Sequence, residues 1–599
     1  YYFGKTDPFG YHLVNFAVHF LTACFLFLLI IKTLNLPLLR DAYSRHAYSI
    51  ALLVVVFWAI HPLQVTAVTY IVQRMASMAG LFYVMCMYFY VLGRTSGIRK
   101  RRPAFFAAAV LCALLGLASK QNAAMLPVSI FLYDLFLIQG VSRQSLKKNL
   151  AVAAVPLGAV ILLGAVYTDF SSLLGGYENR PFTLGQRLLT QPRVLLFYVS
   201  QLLYPVDSRL TLIHGVHVST GLFTPVTTVL SIASIVGAVC FALVKSKKYP
   251  LLCFSILFFL VNHAIEGTVV PLELIYEHRN YVPSFFFFVP IAVFIVAAIK
   301  YFSYQRTLQA AIALVIVIVW IGQGHTVYMR NQRFSDPVSL WSDNAEKAPG
   351  LSRVHTNLGN AYFDNNAYDM AYESYMRAKK ADYYHNIFNK GTLYYNLSRY
   401  YFHVEGDFEK TLYHTQIARS LYPGKWHVWY YSILGELSNG RLLQARDLAN
   451  AACEQWPEKE PLQYVKGLIL LKQKEYNECI KAARDALTRD IESGRFYKLM
   501  GVAYLYIGKL ESAARFLDIA KEKLSGDKDL MLARVDTYHR MGDREAMEKA
   551  VQELLCEKRE STWEEYLRGE AEESALNAYE IQVSKFIPII RNGMSRITP

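Results

Sequence analysis

Cysteine is scarce, with eight among 599 residues. No CxxC pair and no Cys/His cluster is present, which argues against a disulfide framework or a structural metal site. Cys453 and Cys479 fall at inner positions of helical patterns, and five of the eight lie before residue 325. Carboxylates are scarce in that same half. Residues 1–325 hold 24 of the 62 basic side chains but only 9 of the 47 acidic ones, leaving 38 of each beyond. The whole net charge of +15 therefore sits in the first half. A nucleic-acid binder gathers its cations on one soluble face. Here they lie between apolar runs, so no nucleic-acid partner is expected.

Apolar runs that read as membrane spans, several of them short, fall near 12–33, 48–60, 77–93, 104–118, 122–138, 149–167, 222–243, 249–265, 281–299 and 305–323. Cations cluster at every second loop: Lys32, Arg40 and Arg45; Arg94, Arg99, Lys100, Arg101 and Arg102; Arg143, Lys147 and Lys148; Lys245, Lys247 and Lys248; Lys300 and Arg306. Such loops face the cytoplasm. The alternation holds only if the polar-interrupted stretch 190–204, with Gln191, Arg193 and Gln201, does not cross, so it is expected to be re-entrant or interfacial. Ten crossings put residue 1 and everything after 323 outside. The chain starts without Met, and no signal peptide precedes the first run. An outside start then predicts at least one further helix before Tyr1.

Beyond residue 350 the sequence repeats every 34 residues. Gly406, Gly440, Gly508 and Gly542 share one phase, with Lys474 in the slot missing between Gly440 and Gly508; Ala418, Ala452, Ala486 and Ala520 share a second; Pro423 and Pro457 a third. Gly467 and Gly501 are likewise 34 apart. This is the tetratricopeptide signature, attributed to small residues where two helices cross. An earlier repeat fits 351–384 through Asn357, Leu358, Gly359, Tyr362, Ala371, Tyr375 and Ala378, with a short insertion expected near 384–395. The expected fold is all-α: a polytopic membrane domain over 1–325, a linker over 326–350, about six repeats over 351–560 forming a soluble α-solenoid, and a capping helix within 561–599. Such an array binds peptide or protein, and its neutral charge and many tyrosines suit a peptide groove.

Several strings in the first half are more specific than hydropathy: PFGYHLVN (8–15), AIHPLQVTAVTYIVQR (59–74), ASKQNAAMLP (118–127), LYD (132–134), FTLGQRLLTQPRVLLFY (182–198), YPVDSRLTLIH (204–214) and VVPLELIYEHRNYVPS (269–284). With the repeats, they make nearly the whole chain resemble the transmembrane and tetratricopeptide-repeat-containing O-mannosyltransferase-like family, its bacterial members above all. The resemblance implies a GT-C-type membrane glycosyltransferase. It would move mannose or another hexose from a polyprenyl-phosphate donor to a protein hydroxyl outside the cytoplasm, at a bacterial inner membrane with the repeats in the periplasm. No covalently bound cofactor is expected, the lipid-linked sugar being a substrate, and no metal ligand is assigned, the sequence leaving the metal requirement open. The family's catalytic acidic loop would precede Tyr1; Asp7 is not equated with it, and Gln121 follows Lys120 where relatives often carry Glu.

Transfer from a lipid phosphate needs cations at the leaving group and a base at the acceptor, and charged groups at membrane depth tend to be functional. On this reading Arg279, Lys120, Arg74, Arg193 and Arg209 are the candidates for the donor phosphate. Glu273, Glu277, His278 and His61 are the candidates for positioning substrate. The plain alternatives are a salt bridge among Glu273, Glu277 and Arg279, headgroup contact for Arg193 and Arg209, snorkelling for Lys120 and an ordinary helix end at His61. Asp134, His12 and His19 read as structural, and Asn396 opens a glycosylation sequon. Two other functions remain: a non-catalytic membrane scaffold that recruits envelope proteins through its repeats, and a transporter, disfavoured by the lack of internal symmetry.

Overall fold

The computed structural model describes residues 7–142, 144–145, 175–178, 180–381, 387–489, 493–524 and 526–556. Among them no strand forms; the only pairing is an isolated bridge between Gly221 and Thr224. The chain divides into two compact units, Tyr1–Tyr362 with Arg377–Asn386 and Phe363–Met376 with Ile387–Pro599.

In the first unit, eight helices among the described residues are long and apolar enough to cross a membrane: Pro8–Leu34, Arg40–Ala59, Ile71–Thr95, Arg99–Ser119, Gln121–Gln139, Thr227–Val244, Pro283–Tyr301 and Arg306–Arg333. A shorter apolar helix covers Pro250–Asn262. Nine of the ten predicted apolar runs are thus helical, and the tenth, 149–167, lies outside the described residues. The helix starts follow local chemistry. Asp7 accepts from the Phe9 amide at 3.0 Å, with Pro8 at the first helical position. Thr183 and Gln186 form a reciprocal capping box.

That box opens the helix Leu184–Leu203, which contains the stretch 190–204 up to Leu203. Its buried face carries Arg187, Thr190, Gln191, Tyr198 and Gln201. Polar groups face inward here because the neighbouring segment 264–280 is mostly irregular and its backbone must be satisfied. Arg187 donates to the carbonyls of Thr268 (2.8 Å), Glu266 (2.6 Å) and Leu272. Gln191 donates to Leu274 O at 3.0 Å, and Tyr198 donates to Tyr276 O while accepting from Tyr276 N. The apolar core of the unit is aromatic-rich: Trp58, Tyr83, Tyr133, Phe254, Phe258, Tyr281, Phe285 and Phe286 are fully buried. Asp134 pairs with Arg94 at 2.6 Å and accepts from Tyr90, a local tie between two helices. His19 bridges Tyr281 OH and Ala59 O.

In the second unit, five helix pairs follow one another: Ile387–Tyr400 with Phe408–Leu421, Trp426–Ser438 with Leu442–Gln455, Glu460–Lys472 with Tyr476–Thr488, Gly494–Ile507 with Leu510–Lys523, and Lys528–Met541 with Arg544–Cys556. The pair Ser352–Asp364 and Tyr368–Lys380 precedes them in sequence. The expected capping helix falls on residues outside those described.

The structure separates the repeat's small residues into two kinds. Gly406, Gly440, Gly508 and Gly542 have φ of +63°, +73°, +84° and +75°, and a methyl group on any of them would meet nothing within 4 Å. Their phase is set by the left-handed turn that ends each first helix, not by close packing as the sequence pattern implied. Close approach governs the others. A Cβ on Gly467 would lie 2.5 Å from Leu499 Cδ1, and Ala418, Ala452, Ala486 and Ala520 are at most 2% exposed. Asn366, at φ +59°, takes the same turn in the first repeat, 40 residues before Gly406. The insertion is therefore six residues beyond one period, and the wider turn Tyr401–Glu405 accommodates part of it.

Lys474 holds the turn at φ +63° without being glycine. A side chain there strains the backbone. Lys474→Gly is expected to stabilise the array by about 1 kcal/mol once the glycine's extra unfolded-state freedom is subtracted. Thermal melting of the full chain checks it; an unchanged or lower Tm refutes it.

Candidate functional site

The charged string 273–281 does not open a long helix. Glu277–Asn280 and Pro283–Phe286 are short 3-10 turns, and the regular helix starts at Val289. The bends send the string's side chains to three different places.

Glu277 turns into the interior, where its side chain is 1% exposed. It accepts from Arg330 Nη2 at 2.6 Å, from the Thr211 amide at 2.8 Å, and pairs with His214 Nε2 at 3.1 Å. Arg330 also donates to Pro62 O at 2.8 Å. Burial pushes the Glu277 carboxyl up, but Arg330 and His214 outweigh it and hold the group below its ordinary range. His61 lies beside this knot. Burial drops it to about 4, so it is neutral, accepting at Nδ1 from the Leu63 amide and donating from Nε2 to Leu202 O.

Glu273 is part-exposed and pairs with Arg180 at 2.9 Å and Arg353 at 3.6 Å. Arg279 turns the other way. Its Nη1 donates to the carbonyls of Glu273 and Leu274, and its Nε lies 4.0 Å from Glu266 with no hydrogen-bond partner. Lys120 Nζ reaches the same carboxylate at 2.6 Å. So two of the five predicted phosphate cations, Lys120 and Arg279, converge on Glu266. The anticipated salt bridge among Glu273, Glu277 and Arg279 does not form; the three side chains have separate partners. His278 stacks on Tyr276 at 5.2 Å. Burial first, then the nearby Lys120 and Arg279, pull it well below its ordinary value, so it is a neutral neighbour of that cluster.

The remaining cations sit apart in other bonds. Arg74 binds Asn15 Oδ1 at 2.7 Å and lies over the Tyr11 ring. Arg193 binds His217 O at 2.7 Å and Ser219 Oγ at 3.2 Å. Arg209 binds Ser200 Oγ at 2.6 Å and lies over Phe197. Sequence reasoning did not select Glu266, Arg187 or Arg330. Glu266 is one of nine carboxylates before residue 325, and Arg187 lies within the string FTLGQRLLTQPRVLLFY. Arg330 lies 53 residues from Glu277, and no local pattern links the two. Among the described residues, no group of three or more His, Cys, Asp or Glu side chains could hold a metal ion.

A second candidate surface belongs to the repeats. Each first helix from Ile387 onward also touches the first helix of the next repeat, so these helices form the inner layer. Tyr395 meets His427 at 4.8 Å and Tyr431 at 5.7 Å, and Tyr431 OH bonds His403 at 2.8 Å. Arg399 lies over Phe363 at 4.7 Å, and Arg495 over Tyr464 at 5.5 Å. These half-buried rings, with the cations over them, can grip a chain through stacking and hydrogen bonds.

The tetratricopeptide-repeat pattern matches residues 352–385. This segment is a tetratricopeptide repeat. Comparison with curated proteins finds no match. Among solved structures, a MamA fragment from Desulfovibrio magneticus RS-1 is 20% identical, covering 27% of this chain and 90% of its own, with a TM-score of 0.24. PilF of Pseudomonas aeruginosa is 13% identical over 34% of this chain and 90% of its own, TM-score 0.29. YrrB, described as a tetratricopeptide-repeat protein with an unusual peptide-binding site, is 16% identical over 34% and 99%, TM-score 0.27.

Proposed function

We propose that this chain is a membrane-anchored tetratricopeptide-repeat scaffold whose array, on the extracytoplasmic side, holds a protein or peptide partner. The observation that carries this reading is the repeat at 352–385 followed by helix pairs whose inner layer carries Tyr395, His427 and Tyr431. Membrane anchoring is supported by the exposure of apolar side chains on long helices. The Arg306–Arg333 helix is only 6% buried over its most apolar window, and Leu314, Ile318 and Ile321 are all more than half exposed. Water would penalise such a surface and lipid would not.

Two measurements test this. A reporter fused at Tyr328 is expected to read external; a cytoplasmic reading removes the orientation. Photo-crosslinking from position 431 in intact membranes is expected to capture one discrete partner. Tyr395→Ala with Tyr431→Ala is expected to weaken that partner's binding about 10-fold, the loss of two stacking anchors. Unchanged binding refutes the inner face as the docking surface.

A second reading is favoured by the convergence of Lys120, Arg279 and Glu266 beneath motifs that resemble the O-mannosyltransferase-like family. On this reading the chain carries out GT-C-type sugar transfer from a polyprenyl-phosphate donor to a protein hydroxyl, with membrane lipid around it and the repeats presenting the acceptor. Full-length protein supplied with labelled polyprenyl-phosphate mannose is then expected to label envelope proteins, and Arg279→Ala to abolish labelling while inserting normally. Labelling that survives Arg279→Ala excludes that residue from the reaction.

A further inference from the structure

The cationic loops of the first unit hold a second feature besides their charge. Counted in the sequence, so that residues outside those described are included, the loops 32–46, 94–102, 143–148, 245–249 and 300–306 carry sixteen Lys and Arg against one carboxylate, Asp41. Among the described cations of these loops only Arg94 is ion-paired, with Asp134 at 2.6 Å. Three of the loops are held in fixed turns that push an aromatic or apolar side chain out beside the cations. In 300–306 the Ser303 amide donates to Lys300 O, the Gln305 amide to Phe302 O, and Gln309 reaches back to Ile299 O at 2.9 Å. This hairpin leaves Tyr301 81% and Tyr304 99% exposed between Lys300 and Arg306. In 94–102 the Arg102 guanidinium donates twice to Ser96 O, at 3.1 and 2.9 Å, and Ser96 Oγ accepts from the Ile98 amide. The short turn Arg99–Arg101 then presents three successive cations beside an exposed Ile98. In 245–249 Lys248 lies over the ring of Tyr249, which is also exposed. Like charges crowded together repel, and rings turned into water gain nothing; a headgroup layer rewards both, because it offers phosphate to the cation and a half-apolar depth to the ring.

We propose that these loops form a docking surface for anionic phospholipid, with Lys300, Tyr301, Tyr304 and Arg306 as its principal anchor and the turn Arg99–Arg101 as a second. The tyrosine rings seat at headgroup depth, and the cations pair with lipids whose headgroup carries net negative charge. A zwitterionic lipid offers the same phosphate but cancels it with its own cation, so it is held less well. The partner is a lipid surface and not a soluble anion, because a soluble anion has no use for an exposed ring beside each cation group. The proposal rests on the membrane-anchored reading and adds the lipid chemistry that this end of the unit selects.

The test reconstitutes the full chain in vesicles of phosphatidylcholine mixed with phosphatidylglycerol, cuts it out in polymer-bounded discs, and counts the lipids retained. Phosphatidylglycerol is expected to be enriched about threefold over the starting mixture, which is what averaging around the boundary leaves of roughly fivefold per cation near an anionic surface. The enrichment should fall at 1 M salt, where the screening length is about 3 Å. Lys300→Gln with Arg306→Gln should lower it. Tyr301→Ser with Tyr304→Ser should lower it too although no charge is lost, a response that a pure orientation signal would not give. Retention of the two lipids in their starting ratio overturns the proposal, and an enrichment that all four substitutions leave unchanged removes the hairpin as its anchor. An alkaline carbonate wash of the same vesicles tells the two failures apart. A chain that stays with the vesicles but enriches no phosphatidylglycerol refutes the anionic surface alone; a chain that washes off refutes the membrane-anchored reading and this proposal with it.

Discussion

Glu277→Ala is expected to cost the first unit about 3–5 kcal/mol, because it leaves Arg330 buried without a counter-charge. Arg330 is 3% exposed, and among the described residues its hydrogen bonds go to Glu277 and the Pro62 carbonyl, so water cannot replace the carboxylate. The Thr211 amide would lose its acceptor as well. The full chain in detergent should melt at least about 5 °C lower, judged by the usual relation between stability and Tm. Replacing both partners by apolar side chains, Glu277→Leu with Arg330→Met, should recover most of that loss, since paired buried charges contribute little beyond similarly shaped apolar residues. A single variant that melts like wild type would show the knot to be incidental. The same group predicts acid sensitivity. Glu277 is held below its ordinary value of 4.5, so its contribution is complete above that value and disappears as pH falls through the folded value. The Glu277→Ala chain should lack this part of the acid limb.

The second large effect concerns the two kinds of glycine in the repeats. Gly501 lies where the Gly494–Ile507 helix presses on the next: a Cβ would sit 2.6 Å from Leu517 Cγ and 3.1 Å from the Leu517 amide nitrogen. Backbone cannot give way as a side-chain tip can, so Gly501→Val is expected to destabilise by about 3 kcal/mol through overpacking. Gly508, seven residues on, has open space around it but a φ of +84°. Gly508→Ala is expected to lose only about 1 kcal/mol, the strain of a left-handed residue. The pair is read by thermal melting of the array within the full chain. Equal losses would mean that the two glycines serve one purpose.

The site was only partly legible. Lys120 and Arg279 are 159 positions apart, yet both were selected, because cations among apolar runs stand out by composition. Their shared partner was not selected, because Glu266 has no distinctive neighbour in sequence. Glu277 was assigned to substrate on the strength of its place beside Arg279. The bend at Glu277–Asn280 points the two side chains apart and gives Glu277 to Arg330. Direction along a short irregular turn depends on φ and ψ at each residue, which side-chain pattern does not encode.

The sequence by itself determined the all-α class, the positions of nine apolar helices among the described residues, and the 34-residue period. Each of these follows from the repeating placement of apolar or small side chains, a local and cumulative signal. Only the tertiary structure decided which glycines serve a left-handed turn and which a helix contact. It alone decided that the inward face of Leu184–Leu203 is polar because it satisfies an irregular backbone. It alone decided which carboxylate meets which cation. Those outcomes depend on distances between residues far apart in the chain, and a buried charge pairs with whatever the packed fold brings within reach.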